Sequence, residues 1–288
     1  MTRAAAKTGV GPTVAVAIEQ AFPPGRRLVD DDLASAIVPP AMRAFVRLAR
    51  VAFVRDALLR ASERSSPGVW GSVLCRKRYI DDKLIEWADR VDAVVNVGAG
   101  FDTRAYRLRA LVDVPVWEVD QAGTIEAKRA RLRRLFGREP RHVRLVAVDP
   151  DRERLGAALA AHGYRAEMKT FFVLEAVTQY LTDAGMENVL DVLAEATPGS
   201  HLVFTYVRQD FLDERALHGL ERLHARYVKR RIWLLGLDPA RVPDVLAARG
   251  WRVVEDVGRE ELEARFVRPA RRTLTVSPIE RVVFAQRV

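Results

Sequence analysis

From about Val91 onward, short apolar runs alternate with segments whose apolar residues recur at helical spacing. This alternation is typical of βαβ units, in which helices join parallel strands and cover the sheet. Strands covered on both faces are nearly continuous in apolar residues. Five such runs occur, at Ala93 to Val97, Val114 to Val119, Val143 to Val148, Thr170 to Leu174 and His201 to Tyr206. The pattern predicts an α/β fold with a Rossmann-like, doubly wound, mostly parallel sheet.

The end of the chain predicts an antiparallel addition to this sheet. Arg272 to Val276 and Arg281 to Ala285 are strand-like segments, and residues 277–280 between them suit a turn. We therefore expect a C-terminal antiparallel hairpin at the sheet edge.

The first ninety or so residues lack strand patterns, and proline and glycine turns divide them into helical segments. Between Ala41 and Arg60, apolar residues recur near helical spacing with arginines between them. That pattern suits a membrane-surface helix or, as we expect, a cap helix packed on the main domain. We predict an N-terminal helical cap over residues 1–90 and a main domain over 91–288, with a helical substrate-cap insertion at about 208–240.

The bulk composition, 288 residues of which 49% are hydrophobic, allows a sizeable core. Cys75 is the sole cysteine, and no cysteine or histidine spacing typical of a metal site appears. Pro12 and Glu19 interrupt the one apolar stretch near the start, unlike a signal peptide, and no run reaches membrane-spanning length. We expect a cytoplasmic protein without metal ion or membrane attachment.

The net charge of +9 would attract nucleic acid, acidic lipid or an anionic small molecule. The basic clusters at residues 129–134 and 229–231 lack the interleaved aromatic residues that bind RNA bases. We therefore expect a small acidic ligand and no nucleic-acid partner. The sequence predicts no oligomeric state.

A glycine turn follows the first predicted strand and leads into a helix. Gly98 and Gly100 allow the backbone to turn sharply and to approach a ligand closely, which is typical of nucleotide-binding loops. The dinucleotide fingerprint GxGxxG needs a third glycine where this chain has Thr103. The loop therefore predicts a cofactor site that differs from a pyrophosphate site.

Acidic residues end the next two predicted strands. Asp120 lies about twenty residues beyond the glycines, where a carboxylate accepts hydrogen bonds from ribose hydroxyls. Asp149 ends the third strand and is a candidate for the adenine amino group, although a helix-capping role fits it nearly as well.

These residues resemble the leucine carboxyl methyltransferase family, which includes polyketide O-methyltransferases. The resemblance spans most of the chain, and the run from Gly98 to Leu108 is its most specific element. One departure is Ala176, where many relatives have glycine. The other matching segments are residues 9–13, 76–82, 118–121, 147–149 and 174–181.

The resemblance implies a class I methyltransferase that binds S-adenosylmethionine and releases S-adenosylhomocysteine. It implies that Arg76 holds the methionine carboxylate and that Glu175 faces the cofactor amino group or the substrate, with Tyr180 lining the same cleft. Glu175 and Tyr180 are thus the catalytic candidates, although a surface arginine and a core tyrosine are open alternatives for Arg76 and Tyr180. The implied cofactor-binding set is Arg76, Gly98, Ala99, Gly100, Asp102, Asp120, Asp149 and Glu175.

The predicted function is O-methylation of a small or medium acidic metabolite, with a carboxylate favoured over a hydroxyl and secondary metabolism as the setting. Two further readings are an NAD(P)-dependent oxidoreductase, which the loop and the acid favour, and a non-enzymatic basic binding module on the same fold. Thr103 and the terminal hairpin oppose the oxidoreductase.

Overall fold

The computed structural model describes residues 10–288, so Gly9 of the N-terminal motif lies outside the described part. Its sheet has seven strands in the order β3-β2-β1-β4-β5-β7-β6. The order reverses between β1 and β4, where open α/β sheets bind ligands. The strands are β1 Ala93–Val97, β2 Val116–Asp120, β3 Val143–Ala147, β4 Thr170–Leu174, β5 His201–Val207, β6 Trp251–Val257 and β7 Glu280–Arg287.

Strands β1 to β5 pair in parallel, and β7 pairs antiparallel with both β5 and β6. The predicted fold class, with its antiparallel C-terminal ending, is confirmed. The strand predicted at Arg272 to Val276 is wrong, because these residues form no strand and β6 is the outer partner of β7. Strand β6 lies at the sheet edge and includes exposed Arg252, so its sequence lacks a continuous apolar run.

Helices cover both faces of the sheet. None of those within residues 10–288 is both long and apolar enough to cross a bilayer. The α-helices are Val10–Glu19, Ala34–Ile37, Pro40–Leu48, Ala52–Ser65, Val69–Trp87, Arg104–Arg107, Ala122–Phe136, Leu155–Ala161, Asp183–Ala194, Gln209–Leu212, Glu221–Tyr227, Val242–Ala247 and Arg259–Leu262.

Alternate residues of each strand enter two different core layers. On one face, Val94 and Phe171 pack with the N-terminal helices in one buried cluster. On the other face, Val95 and Phe172 pack with the helices that follow β3 and β4. The N-terminal helices therefore share a core with the sheet, and the division into two domains at residue 90 stays a prediction.

The amphipathic segment between residues 41 and 60 forms two helices, Pro40–Leu48 and Ala52–Ser65. Val46 and Ala49 are buried, whereas Leu48 and Phe53 are 56% and 73% exposed. Only some of the apolar residues in this segment are therefore buried, as expected of a cap helix, and the others are exposed.

The chain between β5 and β6 builds a separate small cluster beside the sheet. Phe211 and Leu223 are buried there with Ile279 from the approach to β7, and Val69 packs against them. This cluster ties the predicted insertion at about 208–240 to the first turn of the helix Val69–Trp87.

Candidate functional site

A cavity of about 410 Å³ opens at the carboxyl edge of the parallel strands. Its lining includes the loops after β1 and β4, the ends of β2 and β5, and the start of β7. The helices Val10–Glu19 and Val69–Trp87 and the insertion also contribute residues. The described cavity thus lies where the sheet order reverses and is walled by the regions predicted to form the cap.

The glycine loop forms the floor of this cavity. Gly98 and Gly100 have φ values of 70° and 46°, which other L-residues rarely adopt. A Cβ on Gly98 would lie 2.2 Å from a methyl group of Val177. Both the backbone conformation and the contact therefore require glycine at position 98, as the sequence predicted.

Asp120 lies at the end of β2 and faces the same cavity. Its carboxylate accepts backbone N–H groups from Gly100 at 2.8 Å and from Gln121 at 2.7 Å. Burial raises the pKa of Asp120, and these hydrogen bonds oppose that shift. A buried carboxylate held by backbone donors is well placed to accept hydrogen bonds from the hydroxyl groups of a ligand.

Glu175, which follows β4, is held by three cations. Its oxygens lie 3.0 Å from Arg76 Nε, 3.1 Å from Lys77 Nζ and 2.7 Å from an Nη of Arg104. Burial alone would raise the pKa of Glu175, but the charges of Lys77, Arg104 and Arg76 lower it to about 2. The carboxylate is therefore ionised at neutral pH and is a poor proton acceptor.

Asp102 joins this cluster through Arg104. It pairs with that guanidinium and accepts the backbone N–H of the same residue at 2.8 Å. Burial raises the pKa of Asp102, but Arg104, Lys77 and Lys128 more than reverse this, and the pKa falls well below its usual range. Asp102 thus anchors the loop to the ion cluster, a role that no local sequence pattern indicates.

Arg76 pairs with a second carboxylate that the sequence analysis missed. Glu280, at the start of β7, lies 2.6 Å from an Nη of Arg76. Burial raises the pKa of Glu280, whereas Arg76 lowers it, and the net direction is upward. The sequence places Glu280 in a turn, and no local signal shows that it meets Arg76.

The remaining predicted residues differ in position. Tyr180 lines the cavity, whereas Asp149 does not and instead accepts a hydrogen bond from Gln121 Nε2 at 3.3 Å. The structure therefore brings Arg76, Asp120, Glu175 and Tyr180 to one cavity and leaves Asp149 beside it. The roles of all these residues stay predictions.

Ala176 has a φ of 55°, in the left-handed region. A residue with a Cβ costs about 1 to 2 kcal/mol there, so glycine would adopt this conformation more easily than alanine. The backbone N–H of Ala176 donates to Thr205 Oγ1 at 2.8 Å and holds this conformation. The departure seen in the sequence leaves the loop after β4 in place.

Several lining residues were not singled out from the sequence. Trp70 and Glu280 lie far apart in the chain, and no local pattern marks either of them as a site residue. Other lining residues lie in segments that the sequence analysis identified, but it assigned them no contact. These are Lys77, Asn96, Gln179, Trp233 and Ser277.

Comparison with known proteins finds relatives of this chain both by sequence and by structure. A proposed S-adenosyl-L-methionine-dependent methyltransferase of Mycobacterium avium (strain 104) is 28% identical over 258 residues, which are 86% of this chain and 84% of that protein. Another, from Mycolicibacterium paratuberculosis, is 38% identical over 134 residues, which are 46% of this chain and 42% of that relative. The crystal structure of a proposed methyltransferase from Thermobifida fusca YX superposes with a TM-score of 0.56 at 16% identity, over 81% of this chain and 88% of that one. That likeness supports the fold.

The glycine loop and the strand-end acid lie where the strand order reverses, which is where open α/β sheets bind nucleotide cofactors. Together with the family model and the relatives, this makes the chain an S-adenosylmethionine-dependent methyltransferase. The sequence model of the family described as leucine carboxyl methyltransferase matches residues 9–194, which is well over half of the chain. The chain belongs to the leucine carboxyl methyltransferase family, and the resemblance inferred from its motifs is confirmed.

Proposed function

We propose that this protein methylates an oxygen of a small or medium acidic metabolite, with a carboxylate favoured over a hydroxyl. The observation that supports a carboxylate most is the described cavity lining, which contains no histidine and holds its acids in ion pairs or backbone hydrogen bonds. A cytoplasmic setting, supported by the free, buried Cys75, and a place in secondary metabolism belong to the same proposal.

The cavity residues suit the cofactor in four respects. Gly98 allows close approach to the loop, and Asp120 provides a carboxylate for the ribose hydroxyls. Arg76 uses its Nε and one Nη in pairs with two glutamates, which leaves guanidinium N–H donors for the methionine carboxylate. Glu175 lies next to Arg76, where it would offset the charge of the cofactor amino group.

The cofactor supplies, when bound, an electrophilic methyl group on a sulfonium that leaves as a neutral thioether. The acceptor oxygen forms the new bond to the methyl carbon while the carbon–sulfur bond breaks with its electron pair on sulfur. A carboxylate acceptor loses no proton in this step, because its unperturbed pKa is about 4. The protein then needs to align the two reactants and exclude water.

The net charge of the chain, +9, supports a preference for an acidic methyl acceptor, because it attracts anions over long range. Within the cavity, Arg76 and Lys77 are both paired with Glu175. The attraction therefore acts during approach, and local contacts decide how the acid is held.

A hydroxyl acceptor is the second candidate, and Glu280 is the observation that favours it. Its raised pKa brings it nearer the range of a general base, and it lines the cavity. Its pair with Arg76 at 2.6 Å opposes that role, since proton uptake would break the pair.

Neither a nicotinamide-dependent oxidoreductase nor a non-enzymatic binding module keeps its support. Family membership and the named activity of the relatives indicate a methyltransferase instead. Thr103, which replaces the third fingerprint glycine, donates to buried Asp31 at 2.5 Å and has a structural role.

The test uses S-adenosylmethionine with a labelled methyl group and a panel of small carboxylic acids and phenols. We expect label in a product that releases methanol in warm alkali, as a methyl ester does and a methyl ether does not. Label in an alkali-stable ether would reject the carboxylate in favour of a hydroxyl acceptor. Methylation at nitrogen or carbon would reject O-methylation altogether.

A further inference from the structure

The cavity side distant from the glycine loop is built largely from aromatic and aliphatic side chains. It is lined from the end of β5, the approach to β7, the insertion and Tyr180, whereas the glycine loop and Asp120 follow β1 and β2. The side chains that wall this acceptor compartment are Trp70, Tyr180, Val207, Leu223, Tyr227, Trp233 and Ile279.

Its aromatic wall is held firmly. Tyr227 and Trp233 stack with ring centroids 4.9 Å apart and planes 18° apart, and Phe211 supports Trp233 from behind at 6.3 Å. The backbone N–H of Leu234 donates to the carbonyl of Gln179 at 2.7 Å, which ties the insertion to the loop after β4. Flat rings therefore face the compartment in a fixed orientation.

The opposite wall is fixed by close backbone packing. Trp70 lies in the first turn of the helix Val69–Trp87, and a Cβ on Gly71 would lie 2.0 Å from the carbonyl oxygen of Thr275. The backbone N–H of Ser277 donates to Ser72 Oγ at 2.9 Å, in the same turn. Trp70 is thus held against the segment that leads into β7.

Four side-chain polar atoms of this lining are buried and have no hydrogen-bond partner within residues 10–288. They are the indole nitrogens of Trp70 and Trp233, Gln179 Oε1 and Ser277 Oγ. Gln179 and Ser277 are only 3% and 2% exposed. Buried polar groups are usually paired, because leaving one unpaired destabilises the protein. All four belong to residues that line the same cavity, and a ligand bound there is the group that we infer to pair with them.

We propose that this compartment binds a planar aromatic acid whose oxygens accept hydrogen bonds from the indole N–H groups of Trp70 and Trp233. Indole nitrogen is a donor only, so its partner must be an acceptor. Flat stacked rings favour an aromatic ligand over a flexible chain, because aromatic pairs gain energy beyond the area they bury. This inference rests on the proposed function and narrows its substrate class.

The first experiment measures binding by calorimetry with S-adenosylhomocysteine in excess. The probes are trans-cinnamate and nonanoate, which are monocarboxylates of equal carbon number, one planar and one flexible. We expect cinnamate to bind at least about fivefold more tightly, although nonanoate has more apolar surface. Equal affinity, or tighter binding of nonanoate, would overturn the aromatic part of the inference.

The second experiment labels the indole nitrogens of the five tryptophans and follows their NMR signals as cinnamate is added. The indole signals of Trp70 and Trp233 should shift. Trp117 and Trp251 already donate to carbonyls at 3.0 and 2.9 Å, and Trp87 lies outside the cavity lining. These three are internal controls, and shifts confined to them would overturn the inference.

Matched variants test the N–H donors separately from the rings. Trp70→Phe and Trp233→Phe should each weaken cinnamate binding about three- to tenfold, since each removes one hydrogen bond and keeps the ring. Trp87→Phe removes an equally unpartnered indole outside the cavity and should change nothing. Unchanged affinity in both cavity variants, with S-adenosylhomocysteine binding retained, would overturn the hydrogen-bonding part. These outcomes are independent of product chemistry, so a methylated nitrogen would reject the proposed function without deciding this one.

Discussion

The two sides of the cavity differ in how completely the protein satisfies them. On the proposed cofactor side, which holds the glycine loop, Glu175 has three cationic partners and Asp120 has two backbone donors. On the proposed acceptor side, the indole nitrogens of Trp70 and Trp233 are buried and have no hydrogen-bond partner among residues 10–288. The cofactor side is therefore set before any ligand arrives, whereas the acceptor side needs its ligand for its last hydrogen bonds.

This difference indicates which kind of ligand each side of the cavity recognises. A carboxylate fixed by charges and backbone groups recognises a ligand of defined shape and charge at little reorganisation cost. Unpaired donors in an apolar wall discriminate by penalising ligands that leave them unmatched. The predictions below separate these two behaviours, starting with the largest expected effect.

Removing the charge of Glu175 should cause the largest loss of stability. Glu175→Gln leaves the buried Arg76 and Arg104 and the partly buried Lys77 with too little negative charge, and we expect the free energy of unfolding to fall by about 3 to 5 kcal/mol. The measurement is urea denaturation at neutral pH. Glu187→Gln is the matched control, because its pair with Arg249 at 2.7 Å is exposed and should cost about 1 kcal/mol or less. Equal losses in both variants would show that the cluster does not stabilise the fold.

The same cluster predicts how stability responds to acid. The pKa of Glu175 in the folded protein, about 2, is below its ordinary value of 4.5, so its stabilising contribution is present above pH 4.5 and is lost as the pH falls toward 2. The melting temperature of the wild type should therefore fall across this range more steeply than that of Glu175→Gln. Parallel curves would contradict the lowered pKa.

Gly98→Ala should weaken S-adenosylhomocysteine binding about 100-fold. The left-handed backbone costs about 1 to 2 kcal/mol for alanine, and the new Cβ would contact Val177 at 2.2 Å, so the loop must shift. Gly137→Ala is the control, since Gly137 has a φ of 73° with open space around it and lies outside the cavity lining. It should lower stability but leave the affinity measured by calorimetry unchanged. A similar loss of affinity in both variants would assign the effect to strain rather than to the loop.

Asp120→Asn should weaken cofactor binding about tenfold, because a charged hydrogen-bond acceptor contributes roughly 1.5 to 3 kcal/mol. Asp149→Asn should have a smaller effect, since Asp149 lies outside the cavity lining. Calorimetry with S-adenosylhomocysteine measures both. A larger effect at Asp149 would support its predicted adenine contact and would reverse the order expected from the structure.

The smallest expected effect is that of pH on turnover. With a carboxylate acceptor, kcat should change little between about pH 7 and pH 9, since no proton leaves the acceptor. The same assay with Glu280→Gln tests a hydroxyl acceptor. A kcat that rises with pH in the wild type and loses this dependence in the variant would identify Glu280 as a base.

Much of the fold and of the cofactor side could be predicted from the sequence. The predicted strands Ala93 to Val97 and Thr170 to Leu174 match the observed bounds, because strands buried on both faces leave apolar runs that local inspection finds. The loop at Gly98 and the acid at Asp120 are also local features, each adjacent to a strand end. Both features can therefore be recognised from short runs of consecutive residues.

The acceptor side and the ion pairs were decided by the tertiary structure. Strand β6 carries exposed charged residues at an edge, so its sequence resembles a loop, and the segment at 272–276 resembled a strand without forming one. Arg76 meets Glu280 from 204 positions away, and Trp70 faces a cavity completed by Trp233. Sequence periodicity reports whether a residue is buried, but it does not report which distant side chains share that burial. The partners of buried charges and the donors left unpaired follow from packing the helices and the insertion onto the sheet, which no local pattern contains.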